Sequence, residues 1–188
     1  MKRSRLVPLA LLGAAAFGLS ACQEEATDAA SFDTLDSCLA AAKADGWFTE
    51  ADCRDSFTTA QALHDETAPR YASKDICEEQ HGQGACGTDS VSGSSGGGSI
   101  FMPLLMGYLI GSALGGGRPV AQPLMGRAGG GFATPGGTAI GNLNGAGKMP
   151  VQAFAKAPTT KGLPPMTRAA VAERGGFGKS ATRPSSGG

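Results

Sequence analysis

Five cysteines and two histidines make the first claim to chemistry in this chain of 188 residues. Cys22 stands apart near the start. Cys38, Cys53, Cys77 and Cys86 fall within the next 65 residues, interleaved with His64 and His81. Two kinds of chemistry could use them. Cys77, His81 and Cys86, with Glu78 and Glu79 between them, could ligate a metal. The spacing Cys-x3-His-x4-Cys is not a usual zinc pattern, however, and exported thiols oxidise. Four cysteines remaining after Cys22 is an even number, which suits two disulfides. No nucleophile, base and orienting acid stand together, so the expectation is a protein that is not an enzyme and has no cofactor or catalytic residue. His64 is followed by Asp65 and Glu66 and reads as a solvated helix end. Glu24/Glu25 and Glu78/Glu79 read as solubilising charge.

Cys22 itself reads as an address. "MKRSRLVPLALLGAAAFGLSAC" has a basic start, an apolar run from Leu6 to Leu19 and small residues before the cysteine. The run is short for a spanning helix and matches a secretory signal over residues 1–21. Leu19-Ser20-Ala21-Cys22 resembles the bacterial lipobox. That resemblance implies acylation of Cys22 and membrane lipid as a partner. Gln23 rather than Asp at the next position implies an outer-membrane anchor facing the periplasm, rather than retention at the inner membrane.

Three helices must position the remaining cysteines in a small domain over residues 33–90, tethered by residues 22–32. The first spans about 34–45, with Leu35, Cys38, Leu39 and Ala42 at helical spacing and Gly46 as a stop. The second spans about 49–67, where Thr49 and Asp52 form a capping-box pattern and Pro69 ends the run. The third spans about 73–81, between a Ser73 cap and Gly82. Three cysteine pairings exist. A short turn makes the first two helices antiparallel and puts Cys38 and Cys53 about one turn apart, near the limit for a bridge. Cys77 and Cys86 flank the Gly82–Gly84 turn. Local geometry therefore favours Cys38–Cys53 and Cys77–Cys86. Trp47 and Phe48, in the first turn, either cover the hairpin or form a docking patch.

Residues 91–99, "VSGSSGGGS", read as a linker. "SIFMPLLMGYLIGSALGGG" follows, apolar and uncharged. Pro103 suits a first helical turn, and a helix from there to Leu114 would be about 18 Å long, short of the ~30 Å hydrocarbon core. Gly107, Gly111 and Gly115 recur every four residues and share one helix face, the small-residue pattern that lets helices pack closely. Residues 100–117 are thus expected to form one short helix, serving oligomerisation or roofing the small domain.

Zero net charge hides an asymmetry. Residues 23–91 hold fifteen Asp/Glu against four Lys/Arg. Residues 118–188 hold nine Lys/Arg against one acid, Glu173. This last stretch is rich in Gly and Pro and lacks apolar periodicity, so it reads as a disordered basic tail, with a weak helix around Met166–Glu173. Such a tail suits an anionic envelope component; nucleic acid is not an expected partner of an exported chain. Arg174, Gly175, Gly176, Phe177 and Gly178 stand out as a short candidate motif.

Four stretches together resemble the YgiB family of bacterial proteins, a domain of unknown function carrying a biofilm-related label. They are Asp36-Ser37-Cys38, "TAPRYASKDICEEQHGQGAC" (67–86), "SIFMPLLMGYLIGSALGGG" (99–117) and "RGGFGKS" (174–180). The middle of the tail matches less well. The resemblance implies an envelope protein without a known reaction, and genomic proximity to enzymes of the ATP-grasp class. The sequence reading is therefore a mostly α protein: a disulfide-stapled helical domain, a glycine-patterned helix and a disordered remainder. Its expected role is non-enzymatic envelope scaffolding. The alternatives are a membrane-active oligomer and a small envelope enzyme or accessory of an ATP-grasp pathway.

Overall fold

The computed structural model describes residues 25–45, 48–89, 99–112 and 119–175. Cys22, Trp47, Gly115, Gly176, Phe177, Gly178, the signal stretch and residues 91–98 of the linker lie outside those residues.

The three helices stand where capping and periodicity place them. They are α1 (Leu35–Asp45), α2 (Glu50–Thr67) and α3 (Lys74–His81). At the start of α2 the Asp52 N–H donates to Thr49 Oγ1 at 3.2 Å, and the Thr49 N–H donates to Asp52 Oδ2 at 2.7 Å. Ser73 caps α3, and Gly82, at φ +102°, ends it. Cys38 is bonded to Cys53 and Cys77 to Cys86, with Cα–Cα distances of 5.8 and 6.2 Å. The second bond takes the two thiolates that a metal at Cys77, His81 and Cys86 would need.

The rest of the molecule overturns the mostly α expectation. Residues 26–32, read as a tether, are strand β1 (Ala26–Phe32). The segment read as a helix holds β3 (Phe101–Pro103) and β4 (Leu105–Gly111). The stretch read as a disordered tail contributes β5 (Val120–Gly126), β6 (Phe132–Ala133), β7 (Ala139–Ile140), β8 (Gly145–Pro150), a 3-10 turn (Val151–Phe154) and α4 (Arg168–Glu173). Six strands form an antiparallel sheet in the order β7-β6-β5-β4-β1-β8. A second, two-stranded sheet pairs β3 with β2 (Cys86–Thr88).

The reason for the misreading lies in β4. Tyr108 and Ile110 point to one face, into a core with Phe32, Phe48, Cys38, Cys53 and Ala60. Leu109 points to the other, into a core with Leu124, Ile140 and Ala153. A strand buried on both faces has no polar alternation, so it reads as a continuous apolar run. The glycine step misleads for a related reason. Residues four apart share a face of a strand as surely as of a helix. In the sheet, a Cβ on Gly107 would lie 2.5 Å from the Phe32 carbonyl oxygen, and one on Gly111 would lie 2.5 Å from the Phe154 ring. These glycines admit the chain's own backbone and an aromatic ring, where the helical reading has them admit a second helix.

β5 contains Pro123, yet it is an inner strand of the sheet. β6 pairs only with Met125 and Gly126, so β5 has a single neighbour at Pro123, where a missing N–H is tolerated. Among the described residues no helix is long and apolar enough to cross a membrane.

Candidate functional site

The connection from α2 to α3, Ala68–Ser73, is where the helical half meets the glycine-rich half. Pro69 follows the last turn of α2, and Tyr71 is bridged on both sides. The Tyr71 N–H donates to the Phe101 carbonyl, and the Tyr71 carbonyl accepts from the Phe101 N–H in return. On the other side, the Met166 N–H donates to the Arg70 carbonyl at 2.7 Å and the Ala72 N–H to the Met166 carbonyl at 3.0 Å. A single residue, Tyr71, thus acts as a strand between β3 and the segment leading into α4.

Arg70 is buried beneath this junction, and its guanidinium is held on several sides. Nε donates to Asp89 Oδ2 at 2.6 Å, Nη2 to the Asp65 carbonyl at 2.7 Å, and Nη1 to Thr160 Oγ1 at 2.7 Å and the Ala68 carbonyl at 3.2 Å. A buried charge is tolerated only when paired and hydrogen-bonded, which this one is. Arg70 thus joins the end of the helical half, Asp89, to the late segment, Thr160. Backbone bonds from Thr160 and Lys161 to the Glu66 carbonyl complete the strap.

Neither histidine is a solvated helix end. His64 is buried, and its Nε2–H donates to the Pro103 carbonyl at 2.9 Å. His81 Nδ1 lies 2.8 Å from the Gly126 carbonyl, which can only accept, so Nδ1 carries the proton. Nε2 then accepts from the Tyr71 hydroxyl at 2.8 Å. Burial pulls both imidazoles below their ordinary value, His81 to about 4, and pushes the Tyr71 hydroxyl up. The arrangement keeps His81 neutral and locks the Tyr71 ring in place.

Above Tyr71 lies a groove of about 410 Å³. Pro69 and Tyr71 come from the α2–α3 connection, Leu163 and Met166 from the strapped segment, and Val171 and Arg174 from α4 and its end. Thr167 caps α4 through a bond from the Ala170 N–H, and an Arg168–Glu79 ion pair ties α4 to α3. Arg174 is the one charged side chain among the described residues that line the groove. A broader depression on α2, between Asp55 and Glu66, is acidic and open.

The residues singled out from sequence are scattered relative to this groove. Cys38–Cys53 lies under the helical core, and Cys77–Cys86 joins α3 to β2. Gly107 and Gly111 lie inside sheet contacts. Of the RGGFG motif, Arg174 lines the groove and Gly175 turns the chain at φ +76°. Phe48 packs edge-on against Phe32, covering the hairpin. Sequence reasoning missed Arg70, Asp89, Tyr71 and Thr160. The one local signal is an arginine directly after a proline, in a stretch where acidic residues outnumber basic ones.

A family profile described as "Protein of unknown function (DUF1190)" matches residues 26–188. A UPF0441 protein of Klebsiella pneumoniae is 30% identical over 96% of this chain and 83% of its own length. One from Pectobacterium carotovorum is 30% identical over 97% and 84%. One from Erwinia tasmaniensis is 32% identical over 95% and 82%. No solved structure matches. The profile reaches from β1 to the end of the chain and so takes in both halves that Arg70 and Thr160 join. The chain belongs to the DUF1190/UPF0441 family of YgiB-like proteins, a family of unknown function.

Proposed function

We propose that this protein is a lipid-anchored component of the bacterial cell envelope. Acylated Cys22 holds it to the outer membrane facing the periplasm, and its folded body serves binding rather than catalysis, in envelope or biofilm organisation. One observation carries the binding reading. The groove is apolar, is walled by residues 67–71, Pro135 and residues 158–174, which are distant in sequence, and presents Arg174 but no histidine, cysteine or carboxylate among its described lining residues. Ligand sites are commonly preformed, mostly apolar concavities with few polar groups. Proton transfer in water needs an accessible acid or base, and both histidines here are buried. The two disulfides support an oxidising compartment. The glycine-patterned helix on which a membrane-active oligomer would depend is a sheet strand, so that role does not pass to residues 105–111. The net-basic late segment suits an anionic envelope component as a further partner.

Cys22→Ser tests the anchor: it should move the protein from the membrane to the soluble periplasmic fraction and remove an acyl mass from the N-terminal peptide. Unchanged membrane retention with no acyl mass on wild-type Cys22 overturns the anchor. A photocrosslinker at Leu163, in living cells, should capture partner molecules that one at Gly147 does not. Equal capture from both positions overturns the groove as the binding surface.

A further inference from the structure

The groove's walls are fixed by bonds that leave its interior apolar. Tyr71 is held from below by His81, and the Leu163–Met166 wall is tied through Met166 to Arg70 and Ala72. Thr160, where that wall begins, is tied to Glu66, Ala68 and Arg70. These backbone groups are already satisfied, so an extended peptide could not add itself here as a strand. Recognition has to come from side-chain surface and charge. The surface is unusual for a body that otherwise hides its large apolar side chains. Leu163 is 57% exposed, and among the described residues it shares large apolar exposure only with Leu104 and Met106. Its volume, about 410 Å³, falls in the range of about 300–1,000 Å³ typical of small-molecule sites. Among the described residues, the one charge lining it is the Arg174 guanidinium, a group that pairs with carboxylates in a two-pronged geometry.

We propose that this groove binds a single-chain anionic amphiphile, a long-chain fatty carboxylate. The hydrocarbon chain lies against Leu163, Met166, Pro158 and Val171, and the carboxylate pairs with Arg174. This rests on the reading of the groove as a binding surface and names its ligand class. A preformed groove loses little entropy on binding, so apolar contact converts efficiently into affinity.

The test titrates cis-parinaric acid into the full chain carrying Cys22→Ser, so that no acyl group of the protein itself competes. Saturable one-to-one binding is expected, displaced by palmitate and not by hexadecylamine. Leu163→Asp, at an exposed position, should weaken it by about tenfold or more with an unchanged far-UV spectrum, and Arg174→Gln by about tenfold. Absence of saturable binding overturns the proposal, as does displacement by hexadecylamine equal to that by palmitate, or wild-type affinity in both variants. Binding that appears only after truncation following Gly175 identifies the chain's own end as the occupant and equally overturns it. If the ligand fails while Leu163 crosslinks persist in cells, only the ligand class is lost and the binding surface stands.

Discussion

Residues 33–89 and residues 99–175 are held together by different means. In the first region, contacts are mostly local. A capping box starts α2, a serine caps α3, and disulfides close separations of 15 and 9 residues. In the second, β4 to β7 pair with their neighbours in sequence, but the strand that completes the sheet comes from far away. β4 pairs with β1 some eighty residues earlier, and β8 pairs with the same strand across more than a hundred. Caps and periods are written within a few residues. A sheet partner is not written there at all. Glycine makes the contrast sharper, because it lowers intrinsic strand preference while permitting close approach, so composition argues for disorder where tertiary packing enforces order.

Gly107 offers the largest test of that contrast. Its missing side chain leaves room for backbone, with the Phe32 carbonyl oxygen 2.5 Å and Asp33 Cα 3.3 Å from where a Cβ would sit. Neither can rotate away. Gly107→Val should destabilise the protein by about 4 kcal/mol, or abolish folding. Gly111→Leu should cost less, because the obstructing atoms belong to the Phe154 ring, which can swing aside at the expense of the second core. Gly147→Ala, with open space around it, should stay within about 0.5 kcal/mol. Urea midpoints measure all three. A Gly107→Val protein with a wild-type midpoint would mean that β1 and β4 do not pack as described.

The helices, both disulfides and the α4 segment were legible because each depends on neighbours in sequence. β1 was not: "ATDAASF" has one large apolar residue, and its buried positions include Ala29, Ala30 and Ser31. Such a strand gains stability from the residues that cover it, chiefly Tyr108, Leu109 and Ile110 on β4, and only the fold brings them there. The apolar segment is legible as one that must be covered, but its cover reads as a second copy or as the small domain beneath it, since a run buried on both faces carries no period. The groove was least legible. Its lining comes from residues 67–71, Pro135, 158–166 and 171–174, and its supporting Arg70–Asp89 pair spans 19 residues with no motif.

Acid should separate the two regions at a joint they share. His81 ends α3, in the helical region, and its Nδ1–H donates to Gly126 at the end of β5. Burial holds its folded value near 4 against an ordinary 6.5. The unfolded chain therefore binds a proton at pH values where the folded chain does not. Stability is full above pH 6.5, falls as pH drops toward 4, and changes no further from this group below that. The loss reaches up to about 3 kcal/mol, with His64 adding in the same direction. Urea midpoints at pH 7 and pH 4.5 measure it, and His81→Gln should flatten the dependence. A wild-type midpoint that does not fall on acidification would mean that His81 is not held neutral between Tyr71 and Gly126.

Thr160→Val carries a smaller expected effect than Gly107→Val or acid, and the sharpest reading of how the late segment is held. The hydroxyl lies 2.7 Å from Arg70 Nη1 and 2.6 Å from the Ala68 carbonyl. Arg70 keeps Asp89, Asp65 and Ala68 when Thr160 loses its oxygen, so no charge is orphaned. The cost should be about 1 kcal/mol. Global unfolding reports that poorly; amide exchange reports it well. The N–H groups of Thr160, Lys161 and Met166 are bonded to Glu66 and Arg70 carbonyls in the first region. They should be protected in the wild type and exchange about fivefold faster in the variant, while the α2 amides stay unchanged. Unprotected Thr160 and Met166 amides in the wild type would mean that the strap is not formed. The groove would then lose its Leu163–Met166 wall, while the sheet, which depends on Gly107 and not on Thr160, would stand.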